Sequence, residues 1–590
     1  MLKKYTPAAV PMMLAILLML IPISCGDDGP SPEVWTDVTR TDTYSGSGDQ
    51  VFLVDTTGNV NLTYTLDVGE VPREVYFIFT NTTMSDAGSN PVVKSVDGEE
   101  PDSAEQIMSD DSGSASYSRS ASINDLEVPH SGKPHIDEFN QNPFVYITNA
   151  NSTLSRSLIQ LEPPLYDAED QSSSFYDDNG ISIPATCRKV VYSGSGKPVT
   201  LNIWVADNCW DGTECTRTNC VTQTMVDTLA SKFLLTGDYN DIYEWITNIF
   251  GIEWGTHSYP SQLIPDNNEI TILLYDIDAD NTSTSGVLGF FYSRDNFFRV
   301  LDDNKLKYSN QRVMFYLDSV IYAAKEGTWD VADPGPSLII STLAHEFQHM
   351  INFYQKNVLR VPGGSGPETW LNEMCSMVAE DLVATKLQVD GPRGVSYLLP
   401  GAGLPGNNEG RLPLYNYYNY VSIVRWLTTY PEVLRSYSAN YAFGAYLARN
   451  FGGAPFMQKL VQNQYTDFKA INYALTQSGY SEDFASVLRK WGAANLLSDS
   501  TSPPSGYYQY NSGTWFTSTI GSISYDLGSI NLYNYTYSGQ TGPRYFTSSI
   551  PYGKEAGSNI YYRVGSNLTG TITRSITMED NIKLTVVVKE

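Results

Sequence analysis

The stretch SLIISTLAHEFQHMINFYQ, from Ser337 to Gln355, constrains the fold of this chain more than any other. Apolar residues cover nearly every side of it: Leu338, Ile339, Leu343, Phe347, Met350, Ile351 and Phe353. A helix with so little polar surface must be buried among other elements. Pro334 and Pro336 suit its first turn, and Ser337 suits its cap. Yet it carries His345, Glu346 and His349. The four-residue spacing puts both imidazoles on one face, about 6 Å apart along the axis. Glu346 projects about 100° round the helix, so it can reach a water on a shared metal without ligating the ion. Burying two histidines and a glutamate is costly unless something pairs with them, and a metal ion does so. The plainer alternative is a buried helix whose histidines bond to backbone or neighbouring side chains.

A third ligand decides the class. The metzincin pattern needs Gly three residues and His six residues after the second histidine, but Asn352 and Gln355 stand there. The other common solution is a Glu on a later helix. WLNE at Trp370–Glu373 supplies one beyond the flexible turn VPGGSGPE, and an antiparallel return would bring Glu373 beside His345 and His349. AHEFQHMINF followed by WLNEMCSMVAED resembles the hyicolysin family of bacterial zinc metallopeptidases, and more broadly the gluzincins, over roughly Ile181 to Leu497. The resemblance implies one zinc ion held by His345, His349 and Glu373, with Glu346 as general base. It also implies a thermolysin-like α+β peptidase domain acting on peptide or protein substrates. YSANYAFGAYLARNFGG resembles the segment in which aminopeptidase-type gluzincins carry an oxyanion-stabilising tyrosine, which points to Tyr437. The sequence departs from thermolysin-like relatives in one respect. Their Asp four residues after the ligand Glu is Met377 here, which leaves Glu380 as the candidate to orient a histidine. The loop GVLGFFYSRDN is the place where a sheet edge would receive an extended peptide.

The N-terminus indicates where such a protein would work. Lys3 and Lys4 precede an apolar run from Ala8 to Ile23 that is short for a membrane span and ends at PISC before acidic GDDGP. This reads as an export signal, with Ser24–Cys25 as a loose lipobox, cleavage before Cys25 and lipidation of its thiol. The expected location is the bacterial cell envelope, anchored at an outer-membrane or cell surface. No later segment is long and apolar enough to span a bilayer. A formal net charge of −28 argues against nucleic acid as a partner. In an exported chain the clustered Cys187, Cys209, Cys215 and Cys220 read as two disulfides of unspecified pairing. Cys375 stands alone two positions after Glu373, pointing away from the metal face as a buried thiol. DIDADN, from Asp276, starts like a calcium loop but lacks Gly at the sixth and Glu at the twelfth position, so calcium is the weaker reading beside a solvated acidic loop. His130, His135 and His257 have no partner spacing.

The expected architecture is an α+β, gluzincin-type peptidase domain flanked by β-sandwich-like modules. Residues 1–24 form the lipoprotein signal and 25–49 a polar tether. Alternating runs such as NLTYTLDV and REVYFIFT make 50–165 an N-terminal β-module. Residues 181–500 form the peptidase domain, and the Tyr/Ser/Gly/Thr-rich 503–590 a C-terminal β-module. The expected function is an exported zinc-dependent endopeptidase. The alternative is a cell-surface adhesion or scaffolding lipoprotein with an inactive peptidase domain. Intact His345, Glu346, His349 and Glu373 favour the enzyme, because a binding module gains nothing from all four. Aminopeptidase activity is a third reading, without a motif for a substrate amino terminus.

Overall fold

The computed structural model describes residues 34–96, 133–145, 158–159, 167–193, 198–237, 240–361 and 363–590. Its largest sheet has six strands in the order Gly289–Phe291, Met314–Asp318, Glu269–Tyr275, Thr200–Ala206, Ser182–Tyr192 and Ser172–Tyr176. The middle three run parallel and the outer ones antiparallel. Every residue of Thr200–Ala206 and of Met314–Asp318 is buried, as expected of strands covered on both faces. The helix foreseen around His345 and His349 spans Pro334–Asn352 and lies against the sheet's Gly289–Phe291 edge. Gly289 makes that approach possible: a Cβ there would lie 2.7 Å from the Tyr316 carbonyl oxygen and 3.0 Å from the Thr342 methyl on the helix. Asp333, in extended conformation, takes the cap position, and Ser337 falls inside the first turn with its N–H donated to the Asp333 carbonyl. The helix runs on as a wider, π-helical stretch, Phe353–Arg360.

The chain then turns back into a second buried helix, Thr369–Leu387. A third, Val433–Asn450, packs beside it where Gly444 leaves room: a Cβ on Gly444 would sit 2.6 Å from Val378 Cγ2 and 2.7 Å from Met374 Cγ. These three helices and the sheet share one continuous apolar core.

The flanking β-segments differ from two separate modules. Strands from both ends of the chain interleave in a single pair of four-stranded sheets. One has the order Trp35–Thr43, Asn59–Asp67, Thr571–Met578, Val92–Ser95; the other Asn559–Leu568, Arg73–Asn81, Ile582–Lys589, Gln50–Val54. Asn59–Asp67 alternates buried and half-buried residues, and Val60, Leu62, Leu66, Phe77, Ile576 and Leu584 meet between the sheets. Each end of the chain supplies strands to both sheets, so neither end closes the pair alone. The expected tether also contributes, since Trp35–Thr43 is a strand. Two parts of the expected modules belong elsewhere. The short helix Pro134–Gln141 and the hairpin Phe516–Leu527 both pack into the core of the six-stranded domain, through Phe139 and Tyr525 among others. Helix Phe484–Leu496 joins the two bodies, its Arg489 donating to the carbonyls of Val54 and Leu584.

Among the described residues there is one disulfide, Cys215–Cys220. Cys187 and Cys209 are buried free thiols rather than a second bridge. The Cys187 thiol faces the Lys189 carbonyl within its own strand, and the Cys209 thiol faces Asn208. Cys375 is buried as expected, and burial pushes its pKa up to about 12. Residues 1–25, with the expected signal and Cys25, and His130 lie outside the described residues.

Candidate metal centre

The return of the second helix places Glu373 across from the two histidines. Glu373 Oε2 lies 3.2 Å from His345 Nε2 and 3.6 Å from His349 Nε2. One ligand atom from each of the three residues falls within 4.8 Å of the others. Ligands bound at about 2.0–2.2 Å in a tetrahedron stand about 3.3 Å apart, so this donor set lies close to the arrangement that one metal ion requires. All three residues are buried, as is Glu346, which is 0% exposed. Among the described residues no other group of His, Cys, Asp and Glu meets the same test.

The outer nitrogen of His345 is held by the protein, and a hydroxyl sits against the ring of His349. His345 Nδ1 lies 2.7 Å from Glu380 Oε1, and Ser341 Oγ donates to the other oxygen of that carboxylate at 2.7 Å. Ser376 Oγ donates to Gln348 Oε1 at 2.6 Å and sits 3.1 Å from His349 Nδ1 and 3.4 Å from its Nε2. The Glu380 contact fixes the tautomer of His345 and aims its remaining nitrogen. Glu380, two turns beyond Glu373, therefore occupies the place left open by Met377. Burial works against a charged His345, but hydrogen bonds to Glu373 and Glu380 prevail and push its pKa up to about 9. Because Glu380 touches the ring on the side away from the ligand atoms, Glu380→Gln should leave the ligand set complete. It is expected to weaken metal affinity by about 10–100-fold, measured by competition with a chelator of known affinity. Unchanged affinity would make the contact incidental.

Tyr437, on the third helix, is 1% exposed, with the Arg411 guanidinium over its ring and Trp426 edge-on. Burial first, then the nearby carboxylates of Glu373 and Asp137, and that of Glu346, raise its pKa well above the ordinary value, against the opposing pull of Arg411. Its phenol therefore stays protonated beside the ligands. Tyr441, one turn on, is committed elsewhere: its hydroxyl donates to Asp381, which also pairs with Arg449 at 2.9 Å.

Two of the three aspartates of the acidic loop pair with cations, and among the described residues the loop forms no cluster of metal-ligating side chains. Asp276 pairs with Arg217 at 2.7 Å and Asp278 with Lys133 at 2.7 Å. His257 bonds the Ile264 carbonyl and His135 faces Asp178, so neither joins the centre. Sequence reasoning missed Ser341, Ser376 and the helix Pro134–Gln141, whose Asp137 and Asn140 line a cavity beside His349 and Asn372. The hydroxyls carry no motif. The helix left only a faint signal, Ile136 and Phe139 at a three-residue spacing.

A His-x3-His pair on a buried helix, closed by a carboxylate from the next helix, defines a metal-binding α+β protein of the metallopeptidase type. Residues 181–589 match the model of the Peptidase M30 family, and the chain belongs to that family. It is also 27% identical over 292 residues to the neutral metalloprotease ShpI of Staphylococcus hyicus, a match covering 49% of this chain and 54% of the relative. The chain thus spans about half the length of that curated relative.

Proposed function

We propose that the chain is a zinc-dependent endopeptidase of gluzincin type. The observation that carries this reading is the spacing of His345 Nε2, His349 Nε2 and the Glu373 carboxylate, which suits a single four-coordinate ion with one position left open. Two imidazoles and a carboxylate are a donor set that suits zinc, and the family name implies a metal-dependent peptidase. Zinc in this place would supply Lewis acidity, polarising the scissile carbonyl and acidifying water.

The residues of the chain do the rest. Glu346 takes the proton of the attacking water and delivers it to the leaving amine. Tyr437, kept protonated, donates a hydrogen bond to the oxyanion as it develops. The Gly289–Phe291 strand, at the edge of the sheet and within the loop GVLGFFYSRDN, is where an extended peptide would add. Export and lipid attachment at Cys25, placing the enzyme on the bacterial cell envelope, complete the reading and rest on the sequence of residues 1–25. Among the described residues no helix is long and apolar enough to cross a membrane.

Elemental analysis of the purified protein, beside cleavage of an unfolded protein substrate with and without chelator, tests this. One zinc per chain and chelator-sensitive cleavage are expected. A metal-free, fully active protein would end the reading, and a zinc-loaded protein inactive on every peptide, both intact and after limited proteolysis, would favour the adhesion or scaffolding alternative. Tyr437→Phe keeps ring packing and metal but loses the hydroxyl. Turnover should fall by about 10²–10³-fold with little change in KM. Tyr441→Phe should change turnover much less, since its hydroxyl serves Asp381. Near-normal turnover in Tyr437→Phe would remove that residue from the mechanism.

A further inference from the structure

Within the segment Lys133–Val145, Asp137, Asn140 and Gln141 line the cavity that His349 borders. The segment precedes the residues that match the family. On the sheet side, Asn140 Nδ2 donates to the Phe291 carbonyl at 2.8 Å, and Asn140 Oδ1 accepts from the Ser293 N–H at 2.8 Å. The Phe291 carbonyl belongs to the edge strand and the Ser293 N–H lies just beyond its end, so one carboxamide takes two groups with which an added strand could pair. Phe139 anchors the helix, edge-on to Tyr292 and Phe297. On the opposite side, the Gly366 N–H donates to the Gln141 carbonyl, and Ser365 Oγ donates to Asn142 Oδ1 at 2.6 Å. Ser365 and Gly366 belong to the turn between the two ligand-bearing helices. Asp137 lies between these attachments, in the cavity that His349 lines. His345 and Glu346 are 0% exposed.

We propose that Lys133–Val145 is an intramolecular strap that keeps the peptidase latent by occupying the edge-strand groups and the approach to the metal that a peptide substrate must use. A fixed wall of the cleft would leave that carbonyl and N–H free for substrate; Asn140 takes both. The strap is tied to both sides of the cleft at once, which is how a cover is held and not how a subsite is built. Release of the segment, by cleavage on either side of it, would then open the centre to an extended chain. This rests on the peptidase reading of the same site.

The test compares three zinc-loaded proteins: the full chain, Asn140→Ala, and a chain with processing-protease sites inserted before residue 133 and after residue 145, cut and freed of the peptide by gel filtration. Each is assayed for kcat/KM on an unfolded protein and, in a Glu346→Gln background, for the rate at which a small chelator withdraws zinc. Losing two hydrogen bonds, Asn140→Ala should raise kcat/KM by about tenfold or more, and the cut chain should exceed it. Zinc withdrawal should quicken in the same order. A lower kcat/KM with a raised KM in Asn140→Ala would make the segment a substrate-binding wall and overturn the proposal. So would a cut chain no faster than the full one in both assays, or one that has lost its cooperative thermal transition. Faster zinc withdrawal without hydrolysis in any form would uphold the strap and sink the peptidase reading. A full chain as active as the cut one would do the reverse.

Discussion

Glu346→Gln is expected to remove hydrolysis, lowering turnover by about 10²–10⁴-fold, while metal and fold are kept. The substitution is nearly isosteric, and both residues favour a helix to the same degree, so the Pro334–Asn352 helix has no reason to shift. What changes is chemical: a carboxamide oxygen does not take up a proton at neutral pH, whereas a carboxylate does. The placement of Glu346 supports a proton-carrying role. It projects from the ligand helix but stands outside the donor set of His345, His349 and Glu373. It lies near enough to His345 and Tyr437 that its charge raises the pKa of each, though other groups contribute more. The proposed base and the proposed oxyanion donor therefore lie within electrostatic reach of each other. The comparison is made on the same form of the chain, with turnover, bound metal by elemental analysis and melting temperature measured together. A variant that holds metal and cleaves at the parental rate would show that Glu346 is not the base.

The parts of this site that could be read from sequence are those in which one short stretch fixes the geometry. His345, Glu346 and His349 are of that kind, because helical periodicity alone orients them and the flanking apolar residues bury them. Glu373 was legible through its Trp-Leu-Asn context, although the antiparallel return that delivers it is a tertiary fact. Glu380 was named only as a candidate. A carboxylate seven residues from a ligand stays near the same helical face after two turns, but Ser341 on the facing helix is what holds it there. The β-segments failed for a different reason. Alternation reveals that a strand has one buried face without saying which strand covers it. Asn59–Asp67 pairs with Thr571–Met578 over 500 residues away in the chain, and no local pattern reports that. Cysteine spacing was equally blind, because proximity in sequence does not aim Cys187 at Cys209; both thiols point into packed core.

Glu373→Ala should empty the centre, with metal occupancy after gel filtration falling to a small fraction of the parental value. Removing one of three protein ligands must weaken binding by more than the roughly 10–100-fold that an outer partner such as Glu380 is worth. Only two imidazoles would remain, with that of His345 still oriented by Glu380. Glu380 is the nearest carboxylate on the same helix, yet it has no route to the vacated place. One of its oxygens holds His345 Nδ1 and the other takes the Ser341 hydroxyl, on the side of the ring away from the ligand atoms. Swinging it inward would break both bonds and leave a buried hydroxyl and ring nitrogen without partners, each costing about 1–3 kcal/mol. Glu373→Asp separates charge from reach, since it keeps the carboxylate but withdraws it by one methylene; intermediate occupancy is expected there. Glu373→Gln keeps the reach without the charge and should bind metal less well than the parent. Full occupancy in Glu373→Ala would mean that the third ligand comes from elsewhere, and that the 3.2 Å and 3.6 Å contacts of Glu373 with the two rings are hydrogen bonds of a metal-free pocket.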